Sequence, residues 1–241
     1  MENNQKTGMT IPVAIIIAGL IIAGSIIYTV KSRAPKEAAV DNKKTEENQP
    51  LLVEENIRPV TSRDHILGNP EAGVKVVEFS DTECPFCKSF HRTMHQLINE
   101  YGKSGEVAWV YRHFPLDALH SKARKEAEAT ECANELGGND KFWSYLDRLF
   151  ETTPSNNNLD LAKLPEIAKD VGLSRAEFEK CLESGKFAKR IQEDLDDAMN
   201  SGGNGTPYSV IIAKNKKKSI ISGAQPYAMV KSAVEAALQE K

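Results

Sequence analysis

Two cysteines separated by two residues, Cys84 and Cys87, stand where a short apolar run gives way to a helix-forming one. A thiolate is the reactive form of cysteine, and a helix amino terminus stabilises it through free N–H groups and the helix dipole. Pro85 suits the first helical position, where its missing N–H costs nothing. The spacing lets the second sulfur attack a mixed disulfide formed on the first. Cys84 therefore reads as the nucleophile and Cys87 as the resolving thiol. The competing reading is half of a zinc site. Zinc would need two further ligands. Cys132 and Cys181 are isolated in expected helices, whereas His91 and His95 lie nearby at i, i+4 spacing. Redox chemistry is the reading taken, with no bound metal and no cofactor beyond a redox-active Cys84–Cys87 disulfide.

Two other positions bear on that chemistry. Glu78 precedes Cys84 by six residues and alternates with Val77 and Phe79. If it points inward, a buried carboxyl beside a dithiol can carry the proton that exchange requires. If it points outward, it is a solvated strand-end glutamate. Thr206-Pro207 follows a glycine-rich stretch and precedes a strand, where an X-Pro bond can be cis.

The elements that must position these residues follow from the pattern. Val74–Ser80 is short, β-rich and largely apolar, which suits a central strand. A helix runs from the cysteine pair to about Tyr101, and Val107–Arg112 is a second strand. His120 to Leu136 is strongly helical and stops at Gly137-Gly138. Further helices are expected over Phe142–Phe150, Leu161–Val171, Arg175–Ser184 and Gly185–Asn200. Phe142, Trp143, Tyr145 and Leu146 are spaced as core residues of a helix. Tyr208–Ala213 and Ser219–Ser222 form a hairpin with a solvated lysine-rich tip, and Pro226–Gln239 is a closing helix. The order is β-α-β, a block of helices, then β-β-α: an α/β sheet flanked by helices, carrying an inserted α-helical subdomain at about 117–190.

The 241 residues are 40% hydrophobic and 27% charged, with a net charge of −3. That composition excludes a wholly disordered or fibrous chain. It leaves no basic footprint for nucleic acid. Four cysteines are too few for a disulfide-scaffold mini-protein. After a tail over 1–10, residues 11–30 are apolar and uncharged, enough for a helix of roughly 30 Å. This reads as one uncleaved transmembrane helix, preceding the fold and anchoring it; a cleaved signal peptide is the alternative. Residues 31–63 are charged and carry Pro35 and Pro50, the composition of a flexible linker. Residues 64–241 make the folded domain. Lys31, Arg33, Lys36, Lys43 and Lys44 follow the span and favour a cytoplasmic carboxyl side. Disulfide chemistry favours the opposite side, and that is the expectation: a single-pass protein of the cell membrane with its domain extracytoplasmic.

Several longer stretches then converge. GNPEAGVKVVEFSDTECPFC, YRHFPLDALHSKARKEAEATECA, KFWSYLDRLF, CLESGK, and GNGTPYSVII with ISGAQPY are similar to the DsbA-like thiol-disulfide oxidoreductases over about Asp64 to Leu238. The resemblance implies a thioredoxin-like fold with a helical insertion. It implies Cys84 and Cys87 as the catalytic pair with Glu78 as the acidic strand residue. It implies a client-contacting set of Pro85, Phe86, Thr206 and Pro207, with Pro207 as a cis-proline against the sulfurs. Phe86 departs from the best-known members, where a histidine often stands, and cannot donate a hydrogen bond to the Cys84 thiolate. Cys132 and Cys181 match cysteines that pair in part of the family, which implies a structural disulfide; two free buried thiols are the alternative. His113, which with His120 follows the second strand, is expected to pack or cap. The implied activity is disulfide exchange with cysteines of exported proteins, as an oxidase reoxidised by a membrane redox partner. An isomerase or reductase of the same fold, or a non-catalytic tethered chaperone, is the rival.

Overall fold

The computed structural model describes residues 56–240. The expected tail, anchor and most of the linker lie outside the described residues. Among the described residues no helix is long and apolar enough to cross a membrane.

Five strands form one mixed sheet, with β1 (His65–Gly68), β2 (Val74–Ser80), β3 (Val107–His113), β4 (Tyr208–Ile212) and β5 (Lys218–Ser222) in the order β1-β3-β2-β4-β5. Only β2 and β3 run parallel, and α1 (Pro85–Tyr101) makes the crossover between them. The two apolar runs read from the sequence are thus two of the three inner strands, with β4 the third. Burial on both faces explains why their side chains are largely apolar.

The period of two along β2 sorts its side chains. Val74 and Val76 pack with Trp109, with Phe90, Met94 and Leu97 of α1, and with Val230 and Val234 of α6 (Tyr227–Leu238). Val77 and Phe79 face the other way, with Val110, Val210 and Ala198. Ala198 lies on α5 (Ala188–Asn200). Glu78 shares parity with Val76, so it lies on the α1 face, beneath the helix that starts at the cysteine pair.

Between β3 and β4 lies the inserted block: α2 (Ala123–Thr152), α3 (Leu164–Asp170), α4 (Arg175–Ser184) and then α5. The stop expected at Gly137-Gly138 is a break inside α2. Gly138 takes φ 74° and ψ −171°, a backbone state that side chains with a Cβ rarely adopt, and the chain resumes as helix to Thr152. Cys132 of α2 and Cys181 of α4 form a disulfide at the centre of this block, among Tyr145, Leu149 and Phe178.

Two features depart from the sequence reading. β1 is a strand that its four residues did not announce. In addition, the end of the expected linker belongs to the domain. Ile57 is buried, and the Arg58 guanidinium pairs with Asp194 at 2.7 Å. The cause lies on β3. Arg112 is fully buried, and a buried charge persists only when paired and hydrogen-bonded. It donates to Asp64 at 2.8 Å, to Asp197 at 2.6 Å, and to the carbonyls of Arg58 and Pro59 at 3.0 and 3.2 Å. Those carbonyls take two of its five N–H groups and tie Arg58 and Pro59 to the sheet.

Candidate active site

Cys84 is the N-cap of α1, with extended backbone and no side-chain cap hydrogen bond, and Pro85 opens the helix. The Cys84 sulfur makes no cap hydrogen bond as a thiol, and the first-turn N–H groups remain free to stabilise it as a thiolate. Cys84 is 4% exposed, Cys87 is fully buried, and both are free thiols. The Cys84 thiol donates to the Thr206 carbonyl at 3.6 Å, and the Thr206-Pro207 bond is cis. The loop before β4 thus meets the start of α1. Pro207 is buried there, whereas Pro85 and Phe86 stand out on the surface, Phe86 with 66% of its area exposed. The Asp81 N–H donates to Cys87 Sγ at 3.4 Å.

The two thiols are pushed apart in acidity. A hydrogen bond from Cys87 is the largest cause that holds the Cys84 thiol down to about 6, and it outweighs the opposing effect of burial. The Thr206 hydroxyl and the backbone N–H groups of Cys87 and Phe86 add to it. Burial pushes the Cys87 thiol well above its ordinary range, helped by Cys84 and Glu78. One sulfur is prepared to carry charge and the other to hold a proton.

Glu78 is wholly buried, opposite Tyr111 on β3 and Ser209 on β4. Burial pushes its carboxyl up to about 8, against a smaller downward pull from Ser80 and Trp109. Neither carboxyl oxygen has a hydrogen-bond partner of good geometry. A neutral acid able to release or take a proton near neutral pH therefore lies under the dithiol.

A second acidic pair beside the site was not foreseen. Glu83, the residue before Cys84, is fully buried and accepts from the Asn157 N–H and, at 3.5 Å, from the Thr153 hydroxyl. Burial, then Glu83, pushes the Glu126 carboxyl of α2 up to about 9. Asp81-Thr-Glu83 read only as a break between strand and helix. A run of acids directly before a reactive cysteine was the available signal. The remaining polar candidates are structural. His120 lies 2.9 Å from Asp81 through Nδ1, and His113 lies 3.0 Å from Glu131 through Nε2.

Residues 60–236 match the family model described as thioredoxin. The chain belongs to the thioredoxin family. Its place there is among the DsbA-like proteins. It is similar to the oxidised BdbD of Bacillus subtilis, with a TM-score of 0.66 and 25% identity over 80% of this chain and all of that one. It is 25% identical to "Probable disulfide bond formation protein D" of Bacillus anthracis over 86% of this chain and 88% of that protein. A different context comes from the Na(+)/H(+) antiporter NhaA 3 of Salinispora tropica, 37% identical over 60% of this chain but only 21% of the antiporter. The chain spans a quarter or less of the length of the antiporter relatives it matches.

The split in acidity sets a first expected result. In the reduced protein, alkylation of Cys84 should rise with pH to a plateau through a midpoint near 6, because only the thiolate reacts. Cys87 should stay unmodified in the native state to about pH 9. Mass mapping that finds Cys87 labelled first would reverse the two roles.

Proposed function

We propose that the chain is a membrane-tethered, extracytoplasmic thiol-disulfide oxidoreductase that oxidises cysteine pairs of exported proteins. The observation that carries this reading is the unequal pair: Cys84 held down to about 6 beside Cys87 pushed well up. A client thiolate attacks Cys84 Sγ of the oxidised enzyme. The Cys84–Cys87 bond breaks, a client–Cys84 disulfide forms, and Cys87 leaves with the electron pair. Cys87 then takes a proton, for which Glu78 is the buried source, itself resupplied from solvent. A second client thiolate attacks the client sulfur of the mixed disulfide, and Cys84 leaves as a thiolate. The client loses two electrons and the enzyme gains them. A low pKa makes Cys84 a good leaving group, and a stabilised thiolate makes the reduced enzyme the favoured product. A membrane redox partner then returns the pair to the disulfide.

Client docking is assigned to the surface around the sulfurs. Phe86 and Pro85 offer exposed apolar area, and the Thr206 backbone beside Cys84 is placed to pair with an extended client segment as an added strand. The anchor over residues 11–30 and the tether after it keep the domain at the outer membrane face, a reading supported by the uncharged run and by chemistry that a reducing cytosol disfavours.

One observation favours the isomerase or reductase reading. Phe86 supplies no hydrogen bond to the thiolate, and about 6 is nearer the thioredoxin nucleophile, at about 7, than the DsbA one, at about 3.5. Equilibration with glutathione separates the two. A potential between about −180 and −120 mV supports the oxidase, and a value near −270 mV replaces it with a reductase.

A further inference from the structure

Away from the cysteines, His91 and His95 of α1 and Asp147 of α2 bring three donor atoms to one point. His91 Nε2 and His95 Nε2 lie 2.7 and 2.8 Å from the same Asp147 Oδ1, and 3.2 Å from each other. Hydrogen bonds alone satisfy this triangle badly. A proton on each Nε2 serves the carboxylate but sets two N–H groups against one another. A single proton leaves one ring with a lone pair facing the carboxylate oxygen. A cation among the three gives each of these facing lone pairs a partner, with the His91 proton moved to its buried Nδ1, which has no hydrogen-bond partner in the structure. We propose that His91, His95 and Asp147 form a binding site for a divalent transition metal that prefers imidazole, Zn2+ first among them. It is independent of the thiol chemistry.

The geometry suits that ion. Zinc takes imidazole nitrogen and carboxylate oxygen at about 2.0–2.2 Å, and tetrahedral bonds of that length space the donors about 3.3 Å apart. The triangle needs to widen by about half an ångström on its aspartate edges. Asp147 can move, since its side chain is 39% exposed. The i, i+4 spacing puts both imidazoles on one helix face. Packing sets the His91 ring, against Trp109 at 5.1 Å and Phe150 at 4.6 Å between centroids. A cleft of about 700 Å³, bordered also by Gln96 and Glu151, leaves a fourth position open to water. The rim is mixed in charge: Arg92 and Lys88 also line it, with the Lys88 ammonium held on the Thr153 carbonyl at 2.5 Å.

A second cluster shows the contrast. His65, His113 and Glu131 also converge, but there Arg190 donates to Glu131 Oε1 at 2.7 Å and sits 3.0 Å from His65 Nε2. A guanidinium already holds the place of a cation. No such group enters the His91 triangle among the described residues. The sequence reading expected no metal because the third ligand lies 52 residues beyond His95, on another helix.

The test uses the untagged full chain in detergent, with Cys84 and Cys87 oxidised so that no thiolate competes for metal. Titration with Co2+ should give one equivalent per chain and visible d–d absorption without a thiolate charge-transfer band. Zn2+ should displace the cobalt and raise the thermal midpoint. Loss of a supporting residue outside the ligand set weakens metal sites about 10–100-fold, so loss of a ligand should cost at least about 100-fold. His95→Ala, at a position one third exposed, and Asp147→Asn should each show that loss and abolish the zinc-dependent rise in midpoint. Absence of saturable binding below about 1 mM, or an affinity unchanged from the parent protein in either variant, would overturn the site.

Discussion

Replacing Cys87 with alanine will leave Cys84 joined to its clients. In Cys87→Ala the Cys84 thiolate can still attack a client disulfide. The client S–S bond breaks, a Cys84–client bond forms, and the freed client thiolate takes up a proton. In this reverse of the oxidative step, the intact enzyme is released when the Cys87 sulfur, already hydrogen-bonded to Cys84, attacks Cys84 Sγ and expels the client thiolate. A neighbouring group held in place reacts as though present at a very high concentration, so its loss should slow release at least about 10³-fold. Non-reducing gels of Cys87→Ala should therefore show a ladder of client adducts that collapses with reductant. The double variant Cys84→Ser/Cys87→Ala should show none. Equal ladders in the two variants would mean that trapping runs through Cys132 or Cys181 and would remove Cys84 from the nucleophile's role. The alanine also withdraws the hydrogen bond that is the largest cause of the low Cys84 pKa. The alkylation midpoint should accordingly climb above 6 in the same variant. For a depressed pKa, the stabilisation of the reduced fold is present in full above the ordinary thiol range and is lost as pH falls through the folded value. In the intact reduced protein that loss begins in the ordinary thiol range and is complete just below about pH 6.

The cysteine site was legible because its information is local. A strand, a break, a cysteine with proline after it and an amphipathic helix occupy some thirty consecutive residues, and each step has its own residue signal. The apolar runs of β2 and β3 were legible for the same reason, since strands buried on both faces show it in composition. What escaped is set by partners far along the chain. β1 is an edge strand of four residues whose register comes wholly from β3, with His65 opposite Tyr111. Four residues hold too few periods of two to stand out from a loop. Residues 57–63 look like linker because part of their role is played by backbone carbonyls, which have no residue signature, and the rest by one apolar side chain, Ile57, and one charged one, Arg58. What demands those carbonyls is Arg112, whose other partners lie 48 and 85 residues away. Glu83 and Glu126 likewise show their meaning only when α2 folds back beside the start of α1. The Gly137-Gly138 signal was legible too: Gly138 leaves helical backbone, and the separately expected helix from Phe142 to Phe150 continues beyond it against the core.

Removal of the Cys132–Cys181 disulfide should cost the domain a large share of its stability without touching the active site. The bridge joins residues 49 apart. In the chain-entropy model, cross-linking a loop of that length restricts the unfolded chain by about 4 kcal/mol, and measured losses from native disulfides run from about 2 to 5. The fold has little to set against such a loss, since domains are stable by only about 5–15 kcal/mol. The paired variant Cys132→Ala/Cys181→Ala isolates the effect, because a single replacement would leave a free thiol able to enter exchange. Both sites are apolar and buried among Tyr145, Leu149 and Phe178, so alanine introduces no unpaired polar group there. Urea unfolding should show a midpoint lowered in proportion, with an unchanged or larger m-value, since an unbridged chain exposes at least as much surface when unfolded. The two sulfurs tie α2 to α4 within the insertion, while Cys84 takes its acidity from Cys87, Thr206 and the first turn of α1. The alkylation midpoint of Cys84 should therefore stay at about 6 in the folded double variant. A loss below about 1 kcal/mol would show that the helical block is held by its apolar contacts alone. A shifted Cys84 midpoint would show that the insertion, and not only the helix start, tunes the nucleophile.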